Sequence, residues 1–95
     1  MIKHIVMWKL KEDCKDKGMS IKEKLENLQK IIPYVIKIEV GINILDSSQA
    51  YDVVLYSEFN NTDDLNRYQN HEEHLLVVDF IKSVTEKRIV VDYEV

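Results

Sequence analysis

The sequence predicts an α+β domain of ferredoxin-like order, β-α-β-β-α-β with the second helix split, whose helices cover one face of an antiparallel four-stranded sheet. Three observations lead there. Residues 2–10 alternate strictly, with Ile2, His4, Val6, Trp8 and Leu10 on one side and Lys3, Ile5, Met7 and Lys9 on the other. Ile21, Leu25, Leu28 and Ile32 recur at spacings of four, three and four, which is the apolar stripe of an amphipathic helix. Two β-rich runs, a helical stretch and the closing KRIVVDYEV then complete the order.

Each element carries its own signals. The first strand is partly apolar on both sides, so both of its faces are expected to be covered. Residues 11–19, KEDCKDKGM, are charged and contain Gly18, which predicts a loop. Ser20 and Glu23 form an S-x-x-E capping box, which satisfies amides left free at a helix start, so the first helix is expected to open there. Lys22, Glu23, Lys24, Glu26 and Lys30 supply its solvated side. Pro33 ends it, because the residue before a proline is pushed out of the helical region.

Residues 35–44, VIKIEVGINI, alternate again, with Ile36, Ile38, Val40, Ile42 and Ile44 on one face and Gly41 marking a bulge or a close backbone approach. A polar turn at 46–49 joins them to YDVVLYSEF at 51–59, rich in β-branched and aromatic residues, and the pair predicts a hairpin. Asn60, Asn61 and Thr62 offer capping oxygens ahead of DDLNRYQ, whose acids suit the positive end of a helix. Asn70 is expected to interrupt this helix before a longer one runs through EEHLLVVDFIKSV.

At 95 residues the chain makes a single domain, 1–95, long enough to build a core without metal or disulfide staples. Its 13 basic and 17 acidic residues leave a net charge of −4, which argues against nucleic acid or an anionic membrane as partner. The apolar runs fall far short of the ~20 residues of a membrane span. The opening MIKHIVMWKLK carries charge inside its apolar stretch, unlike a signal peptide. A single cysteine, Cys14, fits a reducing compartment, and a cytoplasmic location is expected. Helices cover only one sheet face, yet Ile5, Met7, Val54, Tyr56, Ile89 and Val91 make the other apolar too. Burial against a second copy, a homodimer, is the expected remedy.

Three histidines can carry chemistry: His4, His71 and His74. Tyr68, His71 and His74 fall at intervals of three and would share one side of a helix. Histidine trades protons near neutral pH, and a tyrosine can donate to a developing oxyanion. The plainer alternative is a hydrogen-bonded core histidine beside a tyrosine at a helix end. His71 and His74 with Glu72 or Glu73 fall short of the H-E-x-x-H spacing of a helical zinc site, since position 75 is leucine, and no metal is expected. There is no glycine-rich phosphate loop and no G-x-S-x-G elbow, and no residue points to a cofactor.

The opening MIKHIVMWKLK, the IIPYV turn, EVGIN, YDVVLYSEF, RYQNHEEHLLVVDFI and the closing VVDYE resemble, in order and spacing, the stress-responsive A/B barrel (Dabb) domain. The resemblance implies a homodimer whose two sheets form an α+β barrel. Through the pattern of the family's plant polyketide cyclases, it also implies roles for single residues. His74 would be the base, Tyr68 the oxyanion donor, His4 a polar group lining the pocket and Asp92 an orienter of His74. His71 matches the first histidine of the family's pair, although Glu72 follows it where a proline is usual. The pocket wall would include Val6, Trp8, Ile21 and Leu25, the last two standing where the cyclases carry bulky aromatics.

Two functions follow as expectations. One is an apolar pocket in each protomer that binds a small carbonyl-bearing or polyketide-like molecule, with cyclase- or lyase-like acid–base chemistry. The other is a non-catalytic stress-related structural or assembly module.

Overall fold

The alternation at residues 2–10 becomes strand β1 (Ile2–Leu10), which sits inside the sheet with an antiparallel neighbour on each side. A computed structural model describes residues 1–95. After β1 come a 3-10 segment at Glu12–Lys17, helix α1 (Gly18–Ile31), strands β2 (Lys37–Ile42) and β3 (Val53–Phe59), helices α2 (Thr62–Gln69) and α3 (Glu72–Val84), and strand β4 (Thr85–Glu94). The strand order is β2-β3-β1-β4, all pairs antiparallel, which is the ferredoxin-like arrangement.

The core lies between helices and sheet. Ile2, Val6, Trp8 and Leu10 of β1 are buried together with Ile21, Leu25 and Leu28 of α1 and Val53, Leu55 and Phe59 of β3. Asn61 caps α2 by accepting from the Asp64 amide at 2.8 Å, and Asn70 closes the helix, as the polar run at 60–62 and the interruption at 70 suggest.

Three local expectations need correction. The segment at 11–19 is not an open loop, because 12–17 wind into a 3-10 helix that runs into α1. Helix α1 therefore starts at Gly18, ahead of Ser20, and the capping box is not used: its cap residue, Lys17, makes no side-chain capping bond. Gly41 produces no bulge, since β2 pairs with β3 in unbroken register. It marks a close approach instead, because a Cβ there would stand 3.2 Å from Val54 Cγ1. The bulge falls between Lys9 and Leu10, where β1 meets β4.

Part of the charged side of α1 also has a task. Strand β2 is an edge, and α1 covers its spare backbone groups. Glu26 accepts from the Val40 amide at 3.0 Å, Gln29 accepts from the Ile38 amide at 2.9 Å, and Lys22 donates to the Val40 carbonyl at 2.7 Å. Pairing these groups blunts an edge that would otherwise invite another strand.

Strand β4 is exposed along almost its whole length on both faces. On the face away from the helices, Ile89 lies opposite Met7 and Val91 opposite Ile5, and Met7, Ile89 and Val91 are 38–53% exposed. On the helix side the helices stop short of β4, and the space left there is the candidate site. No helix is long and apolar enough to cross a membrane.

Candidate functional site

Alternation puts His4, Val6 and Trp8 on the helix side of β1, and the register sets Asp92, Val90 and Arg88 of β4 directly beside them. Helix α3 crosses above and feeds into β4 at Thr85. Between these elements lies a cavity of about 560 Å³. From the sheet and α1 it is lined by His4, Val6, Trp8, Leu25 and Leu55, from α3 by His74, Leu75, Val78, Ile81 and Lys82, and from β4 by residues that include Arg88. A volume of this order, lined by apolar and polar side chains in near-equal number, suits a small organic ligand with both kinds of group.

His74 sits in the first turn of α3. Its Nδ1 lies 3.1 Å from the carbonyl oxygen of Gln69. A carbonyl only accepts, so Nδ1 carries the hydrogen and Nε2 keeps a lone pair. Burial holds the imidazole below the usual histidine pKa, and the neighbouring His4, Arg88 and His71 push the same way against the Gln69 bond. His74 is thus neutral near pH 7 with a free basic nitrogen.

His4 is buried, and its Nδ1 hydrogen-bonds the carboxylate of Asp92 across the β1–β4 pair. Asp92 therefore orients His4 and does not orient His74. Residues 4 and 92 are register partners, whereas His74 is already held by Gln69.

Tyr68 is fully buried at the end of α2, packed at a tilt between Phe59 (centroids 5.1 Å) and His74 (4.3 Å). Burial pushes its phenol well above the usual tyrosine range. Its hydroxyl has no hydrogen-bond partner in the protein. The ring backs His74 and does not itself line the cavity.

Two expected site residues lie elsewhere. The chain breaks at Asn70, so His71 does not share the face of Tyr68 and His74. It caps α3 instead, its Nδ1 accepting from the Glu73 amide at 3.1 Å. Ile21 faces the closed core and is completely buried away from the cavity, while Leu25, one turn on, does reach it. No three His, Cys, Asp or Glu side chains gather into a metal-binding group. The thiol of Cys14 is pushed up by desolvation and by Asp13, with Lys11 and Lys17 opposing, which leaves it less reactive than an ordinary thiol. Among the lining residues that the sequence did not single out are Arg88, Lys82, Gln69 and Leu55. Only the alternation of β4, which puts Arg88 two residues before Val90 and four before Asp92, hinted at one of them.

Comparison with known proteins agrees with this architecture. The family described as the stress responsive A/B barrel domain matches residues 2–95. The stress-response A/B barrel domain-containing protein DABB1 of Arabidopsis thaliana is 30% identical over 98 residues, covering 98% of this chain and 46% of that protein. The chain thus spans about half the length of this curated relative. A dimeric protein of unknown function and ferredoxin-like fold from Bacteroides fragilis superposes with a TM-score of 0.88 at 38% identity, covering 99% of this chain and 95% of that one. The hydroxynitrile lyase of Passiflora edulis shares the fold, with a TM-score of 0.85, 21% identity, and coverage of 99% and 92%. With the family matched over residues 2–95 and DABB1 30% identical across 98% of the chain, the chain belongs to the stress-responsive A/B barrel domain family.

Proposed function

We propose that this chain is a homodimeric small-molecule-binding domain whose cavity takes a small carbonyl-bearing, polyketide-like molecule and acts on it by acid–base chemistry of the cyclase or lyase kind. The observation that carries the reading is His74: a neutral imidazole, fixed through Nδ1 by Gln69, on the wall of a ligand-sized cavity. Its Nε2 would take a proton from the carbon next to the ligand carbonyl. The C–H electron pair becomes the new C=C bond, and the carbonyl oxygen becomes an enolate oxygen. His4, held by Asp92, is the polar group that meets the ligand from β1. Tyr68 stands behind His74 with its hydroxyl buried and free of any protein partner, so its donation to the enolate oxygen requires the His74 side chain or the ligand to shift from this arrangement.

The homodimer is supported by the apolar face of Ile5, Met7, Ile89 and Val91 and by the dimeric relative from Bacteroides fragilis. The second reading, a non-catalytic assembly module, draws on one observation: the Tyr68 ring stands behind the cavity wall. Loss of α-deuterium from methyl-deuterated acetophenone in water, followed by NMR, separates the two. The first reading expects the protein to accelerate washout by about 10²-fold or more, with the acceleration gone in His74→Ala. Equal washout with and without protein overturns it.

A further inference from the structure

The charged groups around the cavity are not balanced. Lys82, Lys87 and Arg88 line it against a single carboxylate, Glu86. The chain is acidic overall, with 17 carboxylates to 13 cations, yet none of these three cations has an ion-pair partner. Arg88 is placed by the fold with the least freedom. It is the register partner of Trp8, on the same side of the sheet as His4 and Val6, so its strand sets it beside the cavity floor. Along that side of β4, Arg88 is followed by Val90 and then by Asp92, whose carboxylate is already committed to His4. The cavity lining therefore joins unpaired cations, Arg88 and Lys82 among them, to the apolar side chains of Val6, Leu25 and Leu55 and to the two histidines.

We propose that the ligand of this cavity is a small organic carboxylate, seated with its carboxylate on the guanidinium of Arg88, with Lys82 as the second cation and its apolar body against Val6, Leu25 and Leu55. The inference rests on the small-molecule reading above and names the chemical class of that ligand. A planar guanidinium matches a carboxylate through two parallel hydrogen bonds, which fixes orientation as well as charge. Apolar walls suit an aromatic or acyl body. The arrangement also serves the proposed base. Burial is the main cause that disfavours protonation of His74, and Arg88 adds to it together with His4 and His71. A carboxylate on Arg88 offsets that positive charge, so the contact that holds the ligand leaves His74 the stronger base.

The test is calorimetric titration of the full chain with 2,4-dihydroxybenzoate and with its uncharged methyl ester. The acid is expected to bind about tenfold more tightly than the ester at low salt, the scale of a charge-assisted hydrogen-bond pair at a partly exposed site. Arg88→Gln is expected to remove most of the acid's advantage over the ester, Lys82 keeping the remainder, and to leave ester affinity unchanged, which also shows that the variant is folded. High salt is expected to narrow the difference between acid and ester in the original chain. Ester and acid binding equally to the original chain overturns the carboxylate assignment alone. An Arg88→Gln variant that weakens both ligands alike does the same. If neither compound binds, the small-molecule reading falls and this inference with it.

Discussion

The imidazole of His74 lies against the ring of Tyr68, centroids 4.3 Å apart and planes inclined by 47°, while the Gln69 carbonyl holds its Nδ1. Three consecutive features of the chain converge on that contact: the end of α2, the break at Asn70 and the first turn of α3. The break is what allows it. A continuous helix would have spread Tyr68 and His74 along one flank, whereas the turn at Asn70 folds the second ring back onto the first.

Stability should depend on pH through His74. Its folded pKa lies below the usual value of about 6.5, so the unfolded chain binds the extra proton first as pH falls. Stability is therefore fully present above about pH 6.5 and declines as the pH drops from there toward the folded pKa. Urea midpoints between pH 7.5 and 5 should fall more steeply for the original chain than for His74→Leu, which cannot take up that proton. Parallel slopes would contradict the assignment.

The edge of β2 should depend on Glu26. Its carboxyl is held below the usual range by the Lys22 hydrogen bond, with the Val40 amide adding to the effect and burial opposing it. Glu26→Ala leaves the Val40 amide without its partner, at a cost of about 1–2 kcal/mol for a partly buried donor. Hydrogen exchange should locate the loss, with the Val40 amide exchanging faster while Val6 in the central strand is changed least.

Gly18 offers the opposite sign. It is helical and buried at the start of α1, and a Cβ would meet Ile42 side-chain atoms at 3.5–3.7 Å, which is ordinary contact. Gly18→Ala should raise stability by about 0.5 kcal/mol, because the unfolded chain loses freedom that the folded one never uses. A lower denaturation midpoint would show that Ile42 has no room to adjust.

The apolar sheet face should be an interface. Val91 pairs with Ile5 there, and about half of its surface is exposed in the single chain. Light scattering should give a dimer for the original chain, whose interface would be on the order of 2,000 Å² in total. Val91→Asp should give a monomer. A monomeric original chain would leave that face without its proposed partner.

Much of this was legible in residue order. Alternation in β1 fixes which side His4 takes, and the stripe Ile21, Leu25, Leu28 fixes how α1 lies. What periodicity does not carry is partnership at long range. Asp92 meets His4 across 88 residues because of the β1–β4 register, which no local pattern reveals. The family pattern assigned that carboxylate to the wrong histidine for the same reason. His71 leaves the face of Tyr68 and His74 because a spacing of three means one face only on unbroken helix, and Asn70 breaks it. The cavity itself arises from an omission, since the helices leave the inner side of β4 uncovered, and Arg88 becomes a lining residue only for that reason.

The hydroxyl of Tyr68 provides the sharpest test of whether the site is functional. It is completely buried and donates to no protein atom, a state that costs about 1–3 kcal/mol when nothing offsets it. Tyr68→Phe removes only that hydroxyl and keeps the tilted packing on Phe59 and His74. The variant should therefore be more stable by about 1 kcal/mol, a rise in Tm of about 4–8 °C for a chain of this size. If the hydroxyl serves the reaction, the same variant should still bind acetophenone but lose most of the α-deuterium washout, a gain in stability at the expense of rate. A purely structural tyrosine would give the stability gain with washout unchanged. Lower stability in Tyr68→Phe would mean that the hydroxyl is satisfied within the fold, and its role as a waiting donor would fall.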